Sequence, residues 1–216
     1  PPPPPHRPPA AGAPLAWPGN PPLSPVPPMP EGRAALAELL ERLRAGALHG
    51  LNVTIPHKQA VLPLLDALTP AARAVGAANT LYLREGRLWG ENTDAPGFLA
   101  DLRARLGAYL PAQGGSALVL GAGGSARAVV YALAASGWQV RLAARRPTQA
   151  AELAAAYRAA DLPGRLSVCG LSAEDLLACP AVDLIVNTTP LGMSPNPAAS
   201  PWPTEVPFPP GAALYD

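Results

Sequence analysis

The chain has 216 residues, 31 of them proline and 20 glycine, and a formal net charge of +1. That length holds one or two domains with a real core, and the scattered, nearly balanced charge gives no electrostatic basis for a nucleic-acid partner or a membrane surface. Two cysteines, Cys169 and Cys179, form no CxxC pair, no apolar stretch is long enough to span a bilayer, and no signal-peptide pattern opens the sequence, so a reducing cytoplasm is the expected setting and neither a disulfide framework nor a metal site is expected.

Fifteen of the first thirty residues are proline. Proline cannot donate a ladder hydrogen bond and breaks helices, so residues 1–30 are expected to be extended, disordered or non-native sequence. Arg33–Arg44 reads as a helix, with Leu36, Leu39, Leu40 and Leu43 on one face. Leu51–Ile55 reads as a short strand stopped by Pro56, followed by a helix from His57 to Leu65. Asn79–Leu83 and Arg87–Gly90 flank Glu85-Gly86 and predict a hairpin, and Pro96–Leu106 predicts an amphipathic helix linking two domains.

The pattern changes after Gly114-Gly115. Strands are expected at Ala117–Leu120, Gln139–Ala143, Leu166–Cys169 and Asp183–Asn187, with helices at Gly124–Ser136, Gln149–Ala160 and Ala173–Leu177 between them. Strands alternating with helices at this spacing predict βαβ units and a parallel sheet. The expected fold is therefore α/β: a partial substrate-binding and catalytic domain over residues 31–100, then a Rossmann-type doubly wound domain over residues 101–216. The chain begins at Pro1 and stops at Leu214-Tyr215-Asp216, where a strand starts, so both ends are expected to be incomplete.

Gly121-Ala122-Gly123-Gly124-Ser125-Ala126 follows the first strand of the second half and opens its first helix. This is the GxGxxG/A form. The first glycine makes a tight turn, the second lets the backbone approach a pyrophosphate, and the small third residue lets helix pack on strand. The helix N-terminus offers free amides to the phosphates. An NAD site carries Asp or Glu about 20 residues past the glycines. Here the second strand ends Ala144-Arg145-Arg146-Pro147-Thr148, without a carboxylate. Two arginines at that point can clasp a 2′-phosphate, so NADP(H) is the expected cofactor.

Lys58 is the only lysine, against fifteen arginines. Unlike a guanidinium, an ammonium can exchange its proton near neutral pH when its surroundings favour that, which points to acid/base chemistry. Reducing a ketone needs a proton donor, and oxidising the alcohol needs a base. Asp94, in Gly90-Glu91-Asn92-Thr93-Asp94, is the candidate carboxylate partner, with a helix N-cap as its bland reading. Asn52, Thr54 and Asn79 add neutral donors and acceptors suited to a ligand rich in hydroxyls.

Asn52-Val53-Thr54-Ile55-Pro56-His57-Lys58, Gly76-Ala77-Ala78-Asn79-Thr80, Glu91-Asn92-Thr93-Asp94, the Gly121–Ala126 loop, Asn187-Thr188-Thr189-Pro190-Leu191-Gly192-Met193 and Tyr215-Asp216 occur in that order. Together they resemble the shikimate dehydrogenase family over roughly residues 31–216. The resemblance implies NADPH-dependent reversible reduction of 3-dehydroshikimate to shikimate, a step toward chorismate and the aromatic amino acids, by a monomer or homodimer. It implies that Lys58 and Asp94 are the catalytic pair. Asn52, Thr54, Lys58, Asn79 and Asp94 would contact substrate, Arg145 and Arg146 the 2′-phosphate, and Thr188 and Met193 the nicotinamide side. The family's Ser-x-Ser-Pro carboxylate-binding motif has no match here. Leu23-Ser24-Pro25 has one serine and lies too close to Asn52. The family's later tyrosine, glutamine and closing helices fall beyond Asp216. The alternatives are a quinate/shikimate dehydrogenase of broader range and an inactive NADP-binding fragment. The NAD-using enzymes of the former kind carry an acid where Arg145 and Arg146 stand.

Overall fold

The computed structural model describes residues 33–54, 56–111, 114–158, 162–195 and 197–216. The proline-rich segment and Ser24 lie outside these residues, as does Ile55.

The first unit starts with α1 (Arg33–Arg44). Leu36, Leu40 and Leu43 recur at three- and four-residue spacing and are buried together with Val53, Val61, Leu81 and Leu88. Strand β1 is Gly50–Asn52, one residue earlier at its start than expected and shorter at its end. It pairs antiparallel with β3 (Thr80–Arg84), Asn52 facing Thr80, so its ladder ends where its partner begins. The helix expected from His57 to Leu65 is split. Helix α2 covers only His57–Ala60, and a 3₁₀ turn follows at Leu62–Leu64, with Pro63 at its centre unable to donate the next helical bond.

Two elements of this unit were not expected. Strand β2 is only Ala67–Leu68 and pairs in parallel with β4 (Arg87–Glu91). Helix α3 (Pro70–Val75) is capped by Thr69, whose hydroxyl accepts from the Ala72 amide, has proline in its first turn, and ends at Gly76 with φ +66°. The hairpin of β3 and β4 turns on Glu85 and Gly86, with φ of 54° and 72°. Positive φ at both central residues matches the right-handed strand twist, which is why Glu-Gly serves there. The sheet order is β1-β3-β4-β2.

Helix α4 runs over Asp94–Leu106, leading into the second sheet. That sheet is β5 (Ser116–Leu120), β6 (Gln139–Ala143), β7 (Arg165–Cys169), β8 (Leu184–Asn187) and β9 (Ala213–Tyr215), all neighbours parallel, in the order β7-β6-β5-β8-β9. Helices α5 (Gly124–Ala135), α6 (Pro147–Arg158) and α7 (Ala173–Leu177) make the crossovers. Order reverses on either side of β5, which is the doubly wound pattern with its ligand crevice at the carboxyl ends of the strands. One face of the sheet packs Val119, Val140, Leu142 and Val186 against Val129, Leu133 and Leu153. The other packs Leu118, Leu120 and Ile185 with Leu176 and Val206.

Helix α4 is more than a linker. Its Ala95, Phe98 and Leu102 join the apolar cluster of the second sheet, and so do Val75 and Ala77 from the first unit. The Phe98 ring meets Tyr215 edge-on at 5.1 Å, and the Tyr215 hydroxyl donates to Asp101 Oδ2 at 2.7 Å. No helix among the described residues is long and apolar enough to cross a membrane.

Candidate active site

Lys58 sits in α2, immediately after Pro56 ends the run out of β1. Its carbonyl accepts from the Ala78 amide at 2.8 Å, which fixes α2 against the segment between α3 and β3. Its Nζ donates to Asp94 Oδ2 at 2.8 Å, with side-chain exposures of 13% and 30%. Asp94 is therefore the first residue of α4 with its side chain turned to Lys58, and it makes no cap bond. The other carboxylate oxygen, Oδ1, accepts from Asn79 Nδ2 at 2.8 Å. Asn79 Oδ1 in turn accepts from the Thr93 amide at 2.9 Å. A carboxylate engaged at both oxygens has little freedom to rotate, so the ammonium is held in one place.

The glycine loop lies against this pair. Gly121 has φ +108°, and a Cβ there would stand 2.8 Å from Thr188 Oγ1. Only glycine fits so close a turn. A Cβ added to Gly124 would be 3.4 Å from Lys58 Cδ, so the lysine stem runs past the first residue of α5. Ala126 is fully buried and packs the helix on the sheet, as the third small residue of the motif should.

A cavity of about 420 Å³ joins the two units. Lys58 lines one side, Gly121 to Ser125 the floor, and Arg145, Arg146 and Thr188 the rest. Arg145 and Arg146 are both exposed at the end of β6, where the sequence placed them. Thr188 donates its hydroxyl to the Leu120 carbonyl at 2.6 Å, tying the strand before the glycine loop to the segment after β8. Gln59, Gln149, Leu171, Thr189 and Leu191 also line the cavity and were not singled out from sequence. Gln149 carried a usable signal, being four residues past Arg145 on a new helix, and Thr189 and Leu191 fall inside the Asn187–Met193 run, whereas Gln59 and Leu171 are legible only once the strands are laid side by side.

Not every candidate converges. Met193 is 64% exposed and does not line the cavity. Asn52 and Thr54 are exposed on either side of buried Val53, on the segment leading to α2, and do not line it either. Asn79 meets Asp94 and Thr93, not the cavity. Among the described residues no group of three or more His, Cys, Asp or Glu could hold a metal ion.

The family description "Shikimate dehydrogenase substrate binding domain" matches residues 29–81. The NADP(+) shikimate dehydrogenase of Salinibacter ruber is 48% identical over 185 residues, covering 84% of this chain and 64% of that protein. The chain belongs to the shikimate dehydrogenase family. The Moorella thermoacetica NADP(+) enzyme is 44% identical, over 84% of the chain and 60% of its own length. Among solved structures, the Thermus thermophilus shikimate 5-dehydrogenase in complex with NADP(H) and shikimate superposes with a TM-score of 0.68 at 40% identity, covering 85% of this chain and 63% of that one. A Corynebacterium glutamicum quinate dehydrogenase in complex with NAD gives 0.66 at 34% identity, with 80% and 61% covered. The chain thus spans about three fifths of the length of these shikimate dehydrogenase family relatives.

Proposed function

We propose that this chain carries the acid/base pair and the cofactor site of an NADP(H)-dependent oxidoreductase that interconverts 3-dehydroshikimate and shikimate. The observation that carries the proposal is the Lys58–Asp94 ion pair at 2.8 Å, beside a glycine loop in a shared cavity. The cradle suits a dinucleotide: the Gly121 turn has no room for a side chain, the first turn of α5 opens onto the cavity, and two guanidiniums stand at the end of β6. NADP(H), when bound, supplies or accepts the hydride.

The chain's own residues handle the proton. When the alcohol is oxidised, Lys58 in its neutral form accepts the hydroxyl proton. When the ketone is reduced, its ammonium returns that proton to the developing alkoxide. Asp94 stabilises the ammonium form, and Asn79 keeps the carboxylate turned toward it. Asn52 and Thr54, exposed just before α2 and outside the cavity lining, are assigned to substrate hydroxyls on the family pattern, and residues 31–100 are assigned as the substrate half of the protein. Arg145 and Arg146 select the 2′-phosphate over the bare ribose hydroxyl of NAD. Thr188 and Met193 are assigned to the nicotinamide side on the family pattern, and of the two only Thr188 lines the cavity. The free thiols of Cys169 and Cys179 fit a cytoplasmic setting.

The direct test is oxidation of shikimate by the purified chain with each cofactor. A kcat/KM for NADP+ well above that for NAD+ is expected. Equal values for the two cofactors, or a preference for NAD+, would contradict the reading.

A further inference from the structure

Asn92 is the one buried polar or charged side chain among the described residues, with 1% of its surface exposed. Burying a primary amide is costly unless both its ends are paired. Both are. Nδ2 donates to the Ala77 carbonyl at 3.0 Å, and Oδ1 accepts from the Ala95 amide at 3.1 Å. The donor and acceptor demands of the two partners fix which end of the amide is nitrogen.

The two partners belong to the two segments that form the Lys58–Asp94 pair. Ala95 follows Asp94 in the first turn of α4. Ala77 precedes Ala78, whose amide holds the Lys58 carbonyl at 2.8 Å, and Asn79, whose side chain holds Asp94. The amide of Asn79 is itself bonded to the Glu91 carbonyl at 3.0 Å. The short stretch from Ala77 to Asn79 is thus gripped on one side by Lys58 and on the other by residues 91 to 94. The Asn92 amide is the strut between them.

We infer that Asn92 is a positioning residue for the catalytic pair, setting the Lys58–Asp94 separation by tying the start of α4 to the Ala77–Asn79 segment. This rests on the reading of Lys58 and Asp94 given above. A surface role does not explain a fully buried asparagine, and a plain helix cap explains only its Oδ1. The bond to Ala77 is what the cap leaves unaccounted for.

Asn92→Ser separates these two functions. Serine accepts from an amide three residues on, as helix caps do, but is too short to replace the bond to Ala77. Because Lys58 is the only lysine, ¹⁵N-lysine labelling gives a single Nζ signal. Its ammonium protons should exchange with water severalfold faster in Asn92→Ser, approaching the rate in Asp94→Asn. Turnover should fall about 10- to 100-fold with KM little changed, the effect expected of a small misplacement at the reacting atoms. In a Lys58→Ala background the same Asn92→Ser change should cost no further turnover, since a residue acting through Lys58 has nothing left to act on. Asn92→Asp, which keeps the volume and the acceptor but sets an oxygen against the Ala77 carbonyl, provides the same readouts if the serine variant folds poorly.

An unchanged ammonium exchange rate, or a full additive loss in the Lys58→Ala background, would overturn the inference. Full turnover in Lys58→Ala alone would instead overturn the assignment of the pair, and the exchange rate would still decide the role of Asn92.

Discussion

At the scale of single residues, the cavity wall is decided by side chains that do little for the fold. Arg145 and Arg146 are exposed, follow β6 and line the cavity. Charge-assisted hydrogen bonds to a phosphate are worth about 1.5–3 kcal/mol each. Replacing both arginines with alanine should therefore raise KM for NADP+ about a hundredfold or more while leaving that for NAD+ nearly unchanged. Steady-state kinetics with both cofactors checks this, and a matched loss with NAD+ would remove the 2′-phosphate from their account. Lys58 shows how far composition alone reaches. Its solitude in the sequence marks it, but not its carboxylate. Asp94 read from sequence is equally a helix cap, and only the fold shows that its side chain turns away from the helix amides toward Nζ.

At the scale of elements, one ion pair ties the first helix to the sheet it covers. Arg44 Nη1 and Nη2 reach Asp66 Oδ2 and Oδ1 at 2.8 and 3.0 Å, and the Leu88 amide donates to Oδ2 at 2.7 Å. The Arg44 guanidinium, then the Leu88 amide, pull the Asp66 carboxyl from 3.8 down to about 2. The folded state therefore binds fewer protons than the unfolded chain between these values. Its contribution to stability is complete above the unfolded value of about 3.9 and is lost as pH falls toward 2. Asp66→Asn should lower the urea midpoint at neutral pH and flatten its fall from pH 4 to 2, and an unaltered acid profile would contradict the linkage. The elements that the sequence revealed are those whose local signals agree with their tertiary surroundings. Glu85-Gly86 specifies its hairpin, and the glycine loop specifies strand, turn and helix in one run. What stayed hidden depends on distant partners. A two-residue β2 is a strand only because β4 lies beside it, and the end of β1 is set by where β3 starts. Helix α3 was readable from Thr69-Pro70 and Gly76, a cap, a first-turn proline and a left-handed stop, but its six residues show little periodicity. Asn92 was visible only as a motif letter, because its second partner, Ala77, lies fifteen positions away.

At the scale of the whole molecule, the two sheets are not independent. Val75, Ala77 and the α4 residues Ala95, Phe98 and Leu102 share one apolar cluster with the second sheet, and Tyr215 closes it from the far end of the chain. Losing the second sheet would expose that cluster, so the two sheets should unfold in a single calorimetric transition with van 't Hoff and calorimetric enthalpies that agree. Two resolved transitions would show that the cluster does not couple them. The same junction brings the ammonium of the first unit against the glycine loop of the second, so the chemistry proposed here exists only where the two meet. That claim is tested most directly by Lys58→Arg in NADP+-dependent oxidation of shikimate. Arginine keeps the charge beside Asp94 but cannot exchange the proton. Turnover should fall nearly as far as in Lys58→Ala, with KM changed much less, and full activity in Lys58→Arg would contradict the account.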